Sequence, residues 1–416
     1  MTITNILSAL GNNNSIYPLL VRDCGIENVA KVAMTYKQNA KDSKFVARQA
    51  TRERIIDEYG TSAVWLGGIP LIETLADKFI AKKGFQPVIS TKLFNETSAQ
   101  GLNTNIKNFA SKAPKEVKEI QFVKNNLDSY KSLQVGKFVA STAIPIMVMG
   151  MILPKLNFKL TRKKIKEEKQ KRVQTLNFVG MDKFIKSTKK DNQPTFTGKI
   201  DVLNISQLQK MFLLDGGLSV GRVSTARNKE EKCEMAFKMA GMCFLNYIAP
   251  KKIEKGLNGL TKKIFKINTA LDPKILNNKE FIKTIKENKI EFPKDNSEAE
   301  IIRFLDSKPQ ALLSQITKEQ GLVSYLKDDV RDPRKFVDTK KVGELFDSIK
   351  EFIKDSNVSG NVEEFAKKAY KAKAFNILTN VALSSFLLAI VLPKLQFLFR
   401  KITTGSNLDP GIKNQR

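Results

Sequence analysis

Histidine is absent from this sequence of 416 residues, tryptophan occurs once and cysteine three times. The lack of histidine removes the commonest general base, the commonest zinc ligand and the Ser-His and Cys-His nucleophile pairs together. Cys24, Cys233 and Cys243 are widely separated and form no CxxC pair. They read as small buried apolar residues, and neither a disulfide framework nor a thiolate metal site is expected. The GxxxxGK[ST] loop, the GxGxxG turn, the GxSxG elbow and HExxH are all missing. Asp328, Asp329, Asp332 and Asp338 lack the spacing of an EF-hand and read as a solvated charge run. The expected class is non-enzymatic, with no cofactor and no metal.

Acidic residues are few beside basic ones: 42 Asp and Glu against 71 Lys and Arg, a formal net charge of +29. Such an excess ordinarily points to nucleic acid or anionic lipid. Lysine greatly outnumbers arginine, however, and arginine is the side chain that forks onto phosphates and bases. A nucleic-acid partner is therefore not expected. The N-terminus, MTITNILSALGNNNS, has neither a basic n-region nor a small-residue cleavage site, so any membrane insertion is expected to use internal segments.

Such segments are present. Ala374 to Pro393 is 20 uncharged residues between Lys373 and Lys394, enough for a helix of roughly 30 Å, the thickness of bilayer hydrocarbon. Phe138 to Pro154 is 17 uncharged residues between Lys137 and Lys155, sufficient if the flanking lysines snorkel. Pro145 inside it is tolerable in a membrane helix. Tyr59 to Ile72 and Met239 to Pro250, 14 and 12 uncharged residues, are weak candidates that alone suit a buried core helix or a re-entrant piece. The fold class expected is all-α: an integral membrane protein with two strong and two weak transmembrane helices in two repeats, plus helical extramembrane segments. A bacterial cytoplasmic membrane, crossed several times, is the expected setting.

The repeats are read from short matches. Leu153-Pro154-Lys155-Leu156-Asn157-Phe158 returns as Leu392-Pro393-Lys394-Leu395-Gln396-Phe397, each ending a strong span and each followed by basic residues. Val46-Ala47-Arg48-Gln49-Ala50-Thr51 is set beside Val220-Gly221-Arg222-Val223-Ser224-Thr225, and Asp23-Cys24-Gly25 beside Asp215-Gly216-Gly217. Their common order suggests a duplication. Basic flanks after both strong spans place both on the cytoplasmic side only if the chain crosses once more in each half. That arrangement requires four spans, with Lys238, Glu73 and Asp77 at or near membrane depth.

Elsewhere the pattern is helical. Gly25 to Glu58 carries Ile26, Val29, Ala33 and Tyr36 on one stripe. Lys251 to Ile267 sets Ile253, Leu257, Leu260, Ile264 and Ile267 apart from its lysines, as a membrane-surface helix does. Ser297 and Glu300 form a capping-box pair, and Val342, Leu345, Phe346, Ile349, Phe352 and Ile353 form another stripe. The chain accordingly divides into an N-terminal helical region (1–60), a first membrane repeat with connecting helices (61–160) and a basic helix with a polar linker (161–212). A second repeat with a weak span and a basic amphipathic helix (213–267), an inserted helical domain (268–373), a final transmembrane helix (374–401) and a flexible basic tail (402–416) follow.

Rare arginines mark the one candidate site. Arg48, Arg52, Arg222 and Arg227, with Lys163 and Lys164, are read as contacts for anionic lipid or an acidic partner; pairing of Arg with Asp23 and Asp215 between the halves is the rival reading. The leading functional expectation is a membrane-anchored structural or interaction protein that binds anionic lipid and meets a protein partner through residues 268–373. The alternative is a small duplicated transporter or channel with Glu73, Asp77, Asn246 and Asn380 along its path.

Overall fold

Proline sets the form of the longest helices. Pro70, Pro154 and Pro393 each lack an N–H and would press on the carbonyl four residues back. In each case the chain widens into a π-turn just before the proline, Val64–Gly68, Val148–Ile152 and Leu387–Val391, and the helix continues instead of breaking. A further π-turn, Val21–Glu27, opens the first bundle helix.

The structure is a computed structural model and describes residues 2–413, except 13–17, 19, 42, 96, 176–202 and 204. Residues 180–202 of the expected polar linker lie outside the described residues. The described chain is all-α, with no strand and one isolated bridge between Tyr325 and Arg331. The first half contains α1 (Ile3–Gly11), α2 (Asn28–Ala40), α3 (Lys44–Ala63), α4 (Ile69–Lys82), α5 (Leu102–Phe109), α6 (Pro114–Asn125), α7 (Leu127–Met147) and α8 (Leu153–Thr175). The second contains α9 (Gln207–Thr225), α10 (Lys229–Tyr247), α11 (Ala249–Phe265), α12 (Pro273–Leu276), α13 (Lys279–Lys286), α14 (Glu298–Ser307), α15 (Leu312–Glu319), α16 (Thr339–Val358), α17 (Val362–Phe386), α18 (Leu392–Thr404) and α19 (Pro410–Lys413).

Two continuous helical rods, α7–α8 and α17–α18, run through the bundle, and among the described residues these are the two helices apolar and long enough to cross a membrane. Around them stand α2, α3–α4, α9 and α10–α11. Close approach locks the bundle: an added Cβ on Gly221 of α9 would lie 3.0 Å from the Cα of Gly150 in the π-turn after α7. Gly60 of α3 faces the Leu153 side chain, and Gly241 of α10 faces that of Leu392, the same leucine of the other LPKLxF copy.

The connections from α4 to α7 and from α11 to α17 both carry extra helices, and they meet at one end of the bundle. The larger, expected as an inserted domain, has its own core from Ile267 to Ala369, including Phe281, Phe304, Phe346 and Phe352. Ser297 caps α14 by accepting from Glu300 N at 3.4 Å. The smaller surrounds Tyr130 with Ile80, Phe85, Ile89 and Ile120. Gln100 joins the two reciprocally, with Nε2 donating to the Val337 carbonyl at 2.9 Å and Oε1 accepting from Val337 N at 2.8 Å. The aspartate run belongs here and is not wholly solvated, because Asp332 is buried and holds Arg334.

The expected flexible tail is corrected for its described part. Residues 406–413 lie packed across the opposite, basic end of the bundle, and Ile412 is fully buried against Val46, Ala50 and Ile165.

Candidate functional site

Helix α2 is amphipathic as its spacing predicts, but it faces the other way from a helix in a water-soluble core. Its apolar stripe is outward, with Ile26, Val29 and Tyr36 exposed, while Glu27, Asn28, Lys31, Thr35 and Asn39 are buried. The same inversion recurs in α17, where Phe375, Leu378 and Phe386 are exposed and Lys373, Asn376, Asn380 and Ser384 are buried. In α18, Leu395, Leu398 and Ile402 look outward, and Gln396 and Arg400 look in. The bundle therefore has a polar interior and an apolar exterior.

Buried charge is tolerable only when paired, and the interior is organised in two ion-paired layers. In the first, Lys31 Nζ lies 2.9 Å from Glu27 and 3.8 Å from Glu58. Glu58 also takes Arg54 at 3.0 Å and Lys238 at 3.1 Å, which ties α2 and α3 to α10. Arg222 of α9 donates to Asp57 at 2.6 Å and to Thr61 Oγ1 at 2.7 Å.

The second layer lies toward the basic end. Arg227 forks onto Glu53, both Nη–Oε distances being 3.0 Å, reaches Glu231 at 2.7 Å, and lies over the Phe158 ring. Arg400 forks onto Glu234 at 2.5 and 2.8 Å. Asp409 stands 3.6 Å from each guanidinium. The variable position of the LPKLxF repeat serves this layer in both copies: Asn157 Nδ2 donates to the Glu53 carbonyl at 2.8 Å, and Gln396 Nε2 to Glu234 at 2.6 Å.

Four carboxylates here, Glu53, Glu231, Glu234 and Asp409, contact two guanidinium groups.

The residues singled out from sequence have separated. Arg222 and Arg227 are buried ties between the halves. Arg52 is half-buried and donates to Thr161 Oγ1 at 2.8 Å, whereas Arg48, Lys163 and Lys164 are exposed, Lys164 lying 2.9 Å from Glu167. Asp215 accepts from the Tyr247 hydroxyl at 2.7 Å, not from an arginine, and the Asp23 side chain lies outside the described residues. Glu73 pairs with Lys210, Asp77 with Lys137, and Asn380 accepts from Ser384, while Asn246 borders an interior cleft. Glu53, Glu58, Lys31, Glu234 and Asp409 went unnoticed as sequence features, while Lys238 stood out only as a charge near membrane depth and Arg400 only as part of a basic flank. The one clue to them is the amide side chain shared by Asn157 and Gln396 within a motif otherwise apolar or basic.

Comparison of the chain with protein-family models, curated proteins and solved structures returned no match.

Proposed function

We propose that this chain is a non-enzymatic, multi-pass membrane protein of two duplicated halves whose basic end holds anionic lipid. The inverted bundle carries the reading. In water, its outward apolar side chains would each forgo about 1.5–3 kcal/mol of burial, whereas hydrocarbon removes that cost. Only 22% and 39% of the apolar windows of the two long helices are buried within the protein, so these are not ordinary core helices.

Support for the duplication comes from equivalent packing. In each half a π-turn precedes LPKLxF, the first leucine fills the space beside a glycine, and the amide reaches a glutamate residue on that glycine's helix. This register pairs α3 with α10 through Gly60 and Gly241. It replaces the register drawn from Arg48 and Arg222, which lie on helices of different position. On this reading α2 and α9 also traverse the apolar layer, giving six crossing helices instead of four.

Where the apolar exterior ends, α8 presents Lys155, Lys159, Arg162, Lys163 and Lys164, all exposed, and a row of basic side chains at this level suits phosphate headgroups. Detergent-purified protein should retain phosphatidylglycerol over phosphatidylcholine at low salt. Lys163→Glu with Lys164→Glu should weaken that preference by about fivefold or more per residue, since each basic side chain near such a surface contributes ~1 kcal/mol. Equal retention of both lipids by the unmodified protein would sink the lipid assignment.

A further inference from the structure

We propose that the polar interior between the halves is a proton path, closed at the basic end by the C-terminal segment 406–413. The path is a row of titratable side chains linked by two clefts. A cleft of about 70 Å³ borders Glu27, Lys31, Asp215 and Tyr247 at the end nearer the inserted domains. From there Lys31 bridges Glu27 to Glu58, and Lys238 lies 3.1 Å from Glu58 and 4.0 Å from Asp57. A second cleft, about 70 Å³, is lined by Asp57, Arg54 and Arg222 together with Glu53, Arg227 and Glu231. Glu234 and Asp409 also line this cleft, and Arg400 reaches both of them.

A proton suits this row better than a larger solute. Ion pairs cross the interior in each layer, and a solute bulkier than water would have to break them. Water in a cleft with several polar partners can bridge the layers. Transfer is balanced: a carboxyl O–H gives its proton to water, the hydronium gives one to the next carboxylate, and the first carboxylate is protonated again from behind. One proton enters and one leaves, with no redox change. The second layer has more carboxylates than guanidinium groups in contact with them: Glu53, Glu231, Glu234 and Asp409 against Arg227 and Arg400. Rows of buried acids and bases at membrane depth are a recurrent form of proton relay.

The C-terminal segment seals this row. Asp409 and Pro410 form part of the wall of the second cleft. Asp409 N donates to Asn39 Oδ1 at 2.9 Å, Asn228 Nδ2 donates to the Pro410 carbonyl at 2.9 Å, and Arg400 donates to the Asn407 carbonyl at 3.2 Å. Gly411 packs so closely on the Arg227 guanidinium and the Glu231 carboxylate that a side chain there would displace them. Ile412 anchors the segment between α3 and α8 without belonging to the row.

The inference rests on the membrane placement, which the experiment checks separately. Full-length protein and Ile412→Asp are reconstituted into potassium-loaded vesicles of phosphatidylethanolamine and phosphatidylglycerol, and insertion is verified by flotation after an alkaline wash. Failure of the full-length chain to insert would refute the placement itself. Valinomycin then imposes an inside-negative potential while an internal pH dye reports proton entry. Ile412→Asp should raise proton entry about tenfold or more, since exposing a buried isoleucine shifts a closed–open equilibrium by at least that factor. Adding Glu58→Gln should return it to the full-length rate. A chain ending at Thr404 serves as the second opened form should Ile412→Asp not insert. Opened protein that floats but passes protons no faster than protein-free vesicles, or whose flux survives Glu58→Gln, overturns the path and leaves the membrane placement intact.

Discussion

Arg400→Ala should destabilise the fold by about 3–5 kcal/mol, the range for removing one partner of a buried ion pair. Arg400 is 1% exposed, and its guanidinium satisfies Glu234 through two hydrogen bonds, the Asn407 carbonyl through a third and Asp409 at 3.6 Å. Without it Glu234 keeps only Gln396 of these contacts, and the C-terminal segment loses a tie to the second half. Lysine would restore charge but not the fork, so Arg400→Lys should recover part of the loss. Arg48→Ala is the control: an exposed residue of the same type on α3, expected to change stability by no more than about 0.5 kcal/mol. Denaturant midpoints in detergent micelles measure all three, and equal midpoints for Arg400→Ala and Arg48→Ala would mean that the second ion layer is not formed.

Gly221→Val is the second large effect, and it is steric. The added Cβ would meet the Cα, C and O atoms of Gly150 at 3.0, 3.1 and 3.2 Å. These are backbone atoms inside a π-turn, so no side chain can swing aside, and α9 must move off α7. Overpacking of a well-filled core costs about 1–3 kcal/mol, and the immovable neighbour places this substitution at or above the upper figure. Moving α9 also separates Arg222 from Asp57, adding a lost buried pair. Gly256→Ala in α11, where an added Cβ meets nothing within 4 Å, should instead be neutral or stabilise by up to about 1 kcal/mol through helix propensity. A Gly221→Val protein as stable as the parent would contradict the close approach of α9 to the π-turn.

The elements legible in the sequence were those with local signals. The uncharged runs before Pro154 and Pro393 are the apolar parts of the two rods, and the stripe from Val342 to Ile353 is buried in the core that spans Ile267 to Ala369. Their information lies within one helix turn or one helix length. The orientation of α2 was not legible, because Ile26, Val29 and Tyr36 define a face without saying whether water or hydrocarbon lies beyond it.

The ion layers were hidden for a related reason. Glu53 and Arg227, or Glu234 and Arg400, stand more than 160 residues apart, and each reads alone as an ordinary surface charge. Arginine scarcity did single out Arg222 and Arg227, either as a surface contact or as pairing between the halves; pairing is what forms, but with Asp57 and Glu53 in place of Asp23 and Asp215. The tail from Ser406 to Lys413 has no periodicity at all; what fixes it is the pocket for Ile412 and the two arginines facing Asp409.

The spanning arrangement has one expensive feature, the connection of residues 176–202. Helix α8 leaves at the basic end, while the Leu203 carbonyl accepts from Thr91 Oγ1 at 3.0 Å at the other. Lys183, Lys186, Lys189 and Lys190 lie between them in sequence, and hydrocarbon disfavours each by about 2.5–3.5 kcal/mol at its centre. Topology therefore tests the central claim most directly, through side-specific reporters placed after Gln193, after Asp306 and at the C-terminus. An inverted bundle embedded in a bilayer predicts that Asp306 and the C-terminus report opposite sides, with Gln193 marking the face on which the connection lies. If all three reported the same side, the bundle would not span the membrane, and its apolar exterior would have to be covered by protein.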